Sequence, residues 1–249
     1  MSARAPYALT SHVYDTIYSF KDYAEEARRI HGILREYGPK NAHTLLDVAC
    51  GTGEHLRFLS RWYEGTGLDV NAGMLRVARR KLPHVRFVRG RMESFRLGRR
   101  FDAVTCLFSA IAYARNPRAL TTTLRRFADH LVPGGVAVVE PFVRSSKYRI
   151  GNVHLGTFGT PEFPIARMNR SDRVRDRAIM DMHHLVGTPS GVRHWVERHD
   201  LGLFSERTYL TAFRRAGFDA RYLETGFMRD RGLYVAVLRA QTAGRSTRR

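Results

Sequence analysis

The segment Leu45-Leu46-Asp47-Val48-Ala49-Cys50-Gly51-Thr52-Gly53 constrains this chain more than any other. An apolar run that reads as a buried strand over 44–49 enters a Gly-x-Gly turn without a spacer, and a helix over 54–63 follows directly. Glycine lets the backbone turn sharply and approach a ligand with no Cβ in the way. A second strand ends at Gly67-Leu68-Asp69, where a carboxylate can accept both hydroxyls of a ribose. Loop and acid together specify an adenosine-containing cofactor. A dinucleotide would want a third glycine for its pyrophosphate, in the order G-x-G-x-x-G, and this chain has His55 and Leu56 there. The dinucleotide is therefore the minor alternative.

The rest of the chain extends the same alternation. Tyr23, Ala27, Ile30, Leu34 and Tyr37 recur at helical spacing and Gly38-Pro39 ends the pattern, predicting a helix over 21–37. A helix over 71–81 and a strand over 85–88 follow Asp69. Residues 101–108 read as a buried strand. Leu120, Leu124, Phe127 and Leu131 mark a helix stopped by Pro133-Gly134-Gly135, and 136–140 is the next strand. The expected fold is α/β: a doubly wound, seven-stranded, mostly parallel sheet of the Rossmann-like kind, with its site beyond the carboxyl ends of the strands. From Pro141 the pattern changes. Two β-like stretches, 178–186 and 192–203, flank Pro189-Ser190-Gly191 and predict an antiparallel hairpin inserted as a cap. A helix over 206–216 and strands over 218–224 and 232–239 close the chain. The expected division is a cofactor-binding core of 1–140 and 204–240, an inserted substrate-binding cap of 141–203, and a flexible basic tail of 241–249.

Met1 to Thr10 holds no apolar leader, and no stretch approaches the roughly 18 apolar residues a membrane span needs, so a cytoplasmic protein is expected. Cys50 and Cys106 sit in apolar settings without a CxxC spacing and read as reduced core residues. The charge of +19 would suit an anionic substrate or a nucleic acid. All but four of the 42 basic residues are arginines, however, a bias that a GC-rich genome also produces, and they are scattered except around 86–100 and 167–177. A solvated arginine-rich surface is the plainer reading, with nucleic acid as the less favoured partner.

LLDVACGTGEHL followed by GLDVNAGML resembles the glycine motif and acidic loop of class I methyltransferases, which implies S-adenosyl-L-methionine as cofactor. The likeness extends to the dTDP-amino-sugar N,N-dimethyltransferases of antibiotic biosynthesis, carried by Val13-Tyr14-Asp15, Lys21-Asp22-Tyr23, Arg96-Leu97-Gly98-Arg99-Arg100-Phe101, Leu107-Phe108-Ser109-Ala110, Pro133-Gly134-Gly135, Glu140-Pro141 and Arg231-Gly232-Leu233-Tyr234. It covers nearly the whole chain except the insert.

That resemblance implies a set of roles. Tyr23 holds the cofactor's methionine end, Ala49, Gly51 and Gly53 form the face its backbone approaches, and Asp69 takes the ribose. Arg91 and Met92 flank the adenine, and Val70, Met74 and Leu107 complete the contacts. Tyr14 and Tyr113 line the methyl-transfer chamber as catalytic candidates, where aromatic faces can stabilise a sulfonium by roughly 0.5–2 kcal/mol. Arg144 and Arg231 are the substrate-binding candidates, Arg231 for a phosphate. The chain departs from the family at Arg91, where an aspartate is usual, and at Phe142-Val143-Arg144-Ser145-Ser146-Lys147, which replaces a Trp-rich stretch.

His183, His184, His194 and His199 lack any fixed ligand spacing, so no metal site is expected. A general-base role for one of them or for Tyr113 stays open. The expected function is N-methylation of a small metabolite such as a nucleotide-activated amino sugar. The alternatives are an RNA or other small-molecule methyltransferase, and a cofactor-binding protein without activity. Whether two chains pair as a homodimer is open.

Overall fold

The computed structural model describes residues 10–228 and 230–240. The stretch ahead of Thr10, read above as lacking a leader, and the basic tail 241–249 lie outside the described residues.

The core follows the expected series. Helix α1 (Tyr14–Ile17) and α2 (Tyr23–Tyr37) lead into β1 (Thr44–Val48), α3 (Glu54–Leu59), β2 (Glu64–Asp69), α4 (Ala72–Lys81), β3 (Arg86–Arg89) and β4 (Phe101–Cys106). A short 3₁₀ turn (Ala110–Ala114), α5 (Pro117–Asp129) and β5 (Leu131–Val139) follow. After the insert, which carries β6–β9, come α6 (Glu206–Arg215), β10 (Phe218–Leu223) and β11 (Leu233–Leu238). Together they form a seven-stranded sheet in the order β10-β11-β5-β4-β1-β2-β3, parallel except for β11, which runs antiparallel to both β5 and β10.

Side chains along β1 explain why the sheet needs cover on both faces. Leu46 and Val48 pack with Leu124 and Phe127 of α5 and Phe213 of α6, whereas Leu45 packs with Ile30 and Leu34 of α2 and Leu75 of α4. A strand buried on both sides reads as a near-continuous apolar run, which Leu45, Leu46 and Val48 follow with Asp47 as the polar interruption. Helix starts are fixed locally: Asp22 caps α2 through the Glu25 amide at 2.9 Å, and Asn71 caps α4 through the Gly73 amide at 2.8 Å. No helix of the described residues is long and apolar enough to cross a membrane.

Two expectations are corrected. Leu131 belongs to β5, not to the preceding helix, which ends at Asp129. His130 closes it by donating from Nδ1 to the Arg126 carbonyl at 2.7 Å, and Pro133-Gly134-Gly135 lies inside β5 beside a register shift against β4. The insert is not a single hairpin but a four-stranded antiparallel sheet, β6 (Val153–Thr160), β7 (Phe163–Val174), β8 (Arg177–Thr188) and β9 (Gly191–Gly202). Strands β6 and β7 escaped notice because Arg167, Asn169 and Ser171 point to the covered face of β7, so the apolar alternation that marks a strand is missing.

The cap is fastened to the core by the amino-terminal segment. Val13, Ile17 and Tyr18 pack against Ile165 and Val186 of the cap, and the Thr10 amide donates to Glu197 at 3.2 Å.

Candidate active site

The glycine loop leaves β1 in the left-handed region. Ala49 has φ 59°, Gly51 φ 57° and Gly53 φ 80°. A Cβ at Gly51 would meet nothing within 4 Å, so its face is open to an approaching ligand, and Gly53 starts α3. Asp69 answers the loop from the end of β2: Oδ2 accepts the Gly51 amide at 2.9 Å and Oδ1 the Asn71 amide at 2.7 Å. Burial raises the Asp69 pKa, and the backbone amides of Asn71, Gly51 and Val70 oppose that rise. Each oxygen keeps a further lone pair for a ribose hydroxyl. An open glycine face beside a buried, prepositioned carboxylate is what adenosine of S-adenosylmethionine requires, so the residues present fit that cofactor. Beneath the loop, buried Asp47 accepts from Thr105 Oγ1 at 2.8 Å, and desolvation raises its pKa to about 6.

A cleft opens on this loop, lined by Tyr14, Tyr23, Ala49, Gly51, Leu107 and Phe108. Burial pushes the phenols of Tyr14 and Tyr23 well up, so both stay neutral and offer π faces. The ring of Tyr14 lies 4.6 Å from that of Tyr18, and Tyr23 meets His55 edge-on at 5.0 Å.

Behind Tyr23 runs a buried ionic chain: Lys21 Nζ lies 2.6 Å from Glu26 Oε1, and Glu26 Oε2 lies 2.7 Å from His55 Nε2. Burial works to raise the Glu26 pKa, but its bonds to His55 and Lys21 outweigh that and hold it low. Asp15 of α1 accepts from Thr52 Oγ1 at 2.5 Å and pairs with Lys81 at 2.8 Å.

Across the cleft, the end of β4 is strained. Phe108 and Ser109 both have positive φ, 52° and 63°, a conformation unfavourable for L side chains and held here by side-chain bonds. Glu140 Oε2 accepts the Phe108 amide at 2.6 Å, Ser109 Oγ donates to the Pro141 carbonyl at 2.8 Å, and Arg231 Nη1 donates to Ser109 Oγ at 2.7 Å. The Arg231 guanidinium also lies over the Phe142 ring at 5.2 Å. Burial raises the Glu140 pKa against the opposing fields of Lys21 and Arg231. Just beyond, Tyr113 reaches the cap, with its hydroxyl 2.6 Å from His199 Nδ1.

The structure thus gathers Tyr14, Tyr23, Ala49, Gly51 and Leu107 at one cleft, with Gly53 and Asp69 behind it. Met74 is buried in α4, and the Val70 carbonyl accepts Arg89 Nε at 3.2 Å. Met92 packs on the core, whereas Arg91 is largely exposed and 3.7 Å from Glu93. Arg144 faces elsewhere: it bonds Glu224 at 2.9 Å, lies 3.5 Å from Glu206 and stacks on Tyr222. Asp15, Glu26, Glu140 and Ser109 escaped the sequence reading. Asp15, Ser109 and Glu140 sit inside quoted motifs, which was the available signal.

A seven-stranded sheet with one antiparallel strand, a glycine loop after β1 and an acid at the tip of β2 define a class I S-adenosylmethionine-dependent methyltransferase. The family model described as "Methyltransferase domain" matches residues 45–135. The dTDP-3-amino-3,6-dideoxy-alpha-D-glucopyranose N,N-dimethyltransferase of Streptomyces fradiae is 39% identical over 90% of this chain and 89% of its own. The crystal structure of Streptomyces venezuelae DesVI superposes with a TM-score of 0.86 at 38% identity, covering 93% of this chain and 98% of that one. CalS10, an amino pentose methyltransferase from Micromonospora echinaspora solved with bound S-adenosylmethionine, gives 0.81 at 32% identity, covering 95% and 99%. The chain belongs to the dTDP-amino-sugar N,N-dimethyltransferase family.

Proposed function

We propose that this enzyme transfers methyl groups from S-adenosylmethionine to the amino group of a dTDP-linked amino sugar, working in the cytoplasm as one step of antibiotic sugar biosynthesis. The observation that carries the reading is the β4 end. A permanent cation, Arg231, is hydrogen-bonded to Ser109 one residue from the cleft-lining Phe108, the arrangement a diphosphate-bearing substrate needs beside a methyl-transfer chamber. The relatives agree with it, and they differ in the sugar, a dideoxyglucopyranose in one and a pentose in another, so this reading commits to the amino-sugar nucleotide and not to one sugar.

Bound S-adenosylmethionine supplies a methyl group already activated on a sulfonium. The protein's part is placement. In this reading Asp69 holds the ribose, Ala49, Gly51 and Gly53 admit the nucleoside, Tyr23 receives the methionine end, and Val70, Met74, Arg91, Met92 and Leu107 border the adenosine. Tyr14, a neutral phenol, and Tyr113 face the reacting atoms and keep water out. Residues 141–203 act as the substrate cap on a core of 1–140 and 204–240. Arg144, the second substrate candidate, is paired with Glu206 and Glu224. With the cofactor bound, the substrate amine would stand in line behind the methyl group, so that the N–C bond would form as the C–S bond breaks and the proton of the resulting ammonium would pass to solvent. Holding the two reactants in that geometry contributes roughly 7–11 kcal/mol.

Turnover with a donor radiolabelled in the methyl group, against a panel of dTDP-amino sugars, tests the substrate class. Label in one or more of them is the expected result. Label entering RNA or another metabolite class while every amino-sugar nucleotide stays unlabelled would overturn it.

A further inference from the structure

Tyr113 and His199 lie far apart in sequence and on opposite sides of the core–cap boundary, yet form one of the shortest contacts between them. Tyr113 stands on the 3₁₀ turn that continues β4, and His199 on β9, opposite Met180 of β8. His199 is 1% exposed, and its Nδ1 lies 2.6 Å from the Tyr113 hydroxyl. Phe142, Met180 and Leu201 pack around Tyr113, so the ring has little freedom. Tyr113 is also near enough to Tyr14 for its field to help raise that phenol's pKa.

The chemistry of the chamber makes the direction of that hydrogen bond matter. A phenol O–H beside a basic amine donates to the nitrogen lone pair, the same pair that must attack the methyl group. A tyrosine free to do so would hold its substrate in an unreactive pose. A tyrosine whose proton is already given to another acceptor can only accept, and then it takes an N–H of the amine and leaves the lone pair exposed.

We propose that His199 is the positioning residue for Tyr113: its Nδ1 accepts the tyrosine's hydroxyl proton, which turns the phenolic lone pairs toward the chamber to accept an N–H of the substrate amine. The inference rests on the reading of Tyr113 as a chamber residue given above. His199 suits the part because it stays neutral. Burial, and after it the fields of His184 and Arg167, lower its pKa to about 4, so at neutral pH it carries one ring proton. The favoured Nε2–H tautomer of neutral histidine leaves Nδ1 as the acceptor. The cap thereby takes part in catalysis without touching the reacting atoms.

Five proteins and their spectra decide it: wild type, Tyr113→Phe, His199→Leu, His199→Asn and the Tyr113→Phe/His199→Leu double variant, assayed with a dTDP-amino sugar, and the ¹⁵N signals of histidine-labelled resting wild type and Tyr113→Phe. The expected result is that each single change lowers kcat by about 10- to 100-fold with cofactor Kd unchanged, and that the double variant is no worse than Tyr113→Phe. His199→Asn, whose side-chain oxygen can occupy the Nδ1 position, should recover most of kcat. The His199 Nδ1 signal should report an unprotonated acceptor and shift on Tyr113→Phe. Losses that multiply in the double variant, or an Nδ1 that is protonated in resting protein, overturn the proposal while leaving Tyr113 in the chamber. Full kcat in Tyr113→Phe instead removes Tyr113 from the chamber and the proposal with it. The spectrum decides the hydrogen bond whatever the substrate proves to be.

Discussion

Asp15 Oδ1 accepts the Thr52 hydroxyl at 2.5 Å, joining the short helix that carries Tyr14 to the loop that carries Gly51 and Gly53. The same carboxylate pairs with Lys81 at the end of α4. Cofactor loop and chamber wall are therefore held by one side chain. Asp15→Ala should weaken S-adenosylmethionine binding by roughly 5- to 20-fold, the loss of one to two charge-assisted hydrogen bonds. Isothermal titration calorimetry checks it. Adding Thr52→Val to that variant should change little, since the partner is already gone, and a second full loss would mean that the two residues act separately.

Asp69 gives a sharper expectation because both its oxygens already accept backbone amides, from Gly51 and Asn71. In Asp69→Asn, the side-chain NH₂ must face one of those N–H groups, donor against donor. Cofactor Kd should rise by about 10- to 100-fold, with a stability loss of about 1–3 kcal/mol from the opposed donors. Calorimetry and thermal melts of the same sample read both. Unchanged affinity would remove Asp69 from the ribose site.

Arg231 should separate substrate binding from cofactor binding. Its Nη1 reaches Ser109 Oγ at 2.7 Å, next to the cleft-lining Phe108. Arg231→Lys keeps the charge but not the fork. We expect KM for the nucleotide sugar to rise by roughly 10-fold or more, with cofactor Kd unmoved and the effect little changed by ionic strength, since the charge is kept. A variant with native KM at all salt concentrations would free Arg231 of any phosphate role.

These three residues also mark how far the sequence can be read. The glycine loop and Asp69 were legible because their signals are local: a buried strand, a turn only glycine permits, and an acid at the next strand tip. The pairing of Arg144 was hidden for the opposite reason. A basic residue just past β5 looks available in sequence, but Glu206 and Glu224 reach it from α6 and the end of β10. Asp15 with Thr52, and Tyr113 with His199, are pairings across long stretches of chain that no periodicity announces. The cap's first two strands were hidden because β7 turns Arg167, Asn169 and Ser171 inward, where alternation would demand apolar residues.

That polar inner face makes the cap sensitive to acid. His184, stacked on Trp195 at 5.2 Å, is 1% exposed, and desolvation followed by the field of Arg167 lowers its pKa to about 4. An unfolded histidine titrates near 6.5, so between these values the unfolded chain binds a proton that the folded chain refuses. The contribution of neutral His184 to stability is thus present above about 6.5 and lost as pH falls toward 4. Asp47 works in the opposite sense: with its pKa raised to about 6, the folded state keeps its proton longer, and its contribution declines as pH rises between the ordinary carboxylate range and 6. The wild-type profile sums both with His199, which shifts in the same direction as His184, so the comparison with His184→Phe, which preserves stacking on Trp195, isolates His184. Relative to wild type the variant should gain on the order of 1–2 kcal/mol between pH 7 and pH 5, read as a difference in Tm across that range. Parallel melting profiles for the two proteins would mean that His184 is protonated in the folded state as readily as in water, and that the inner face of the cap is wet.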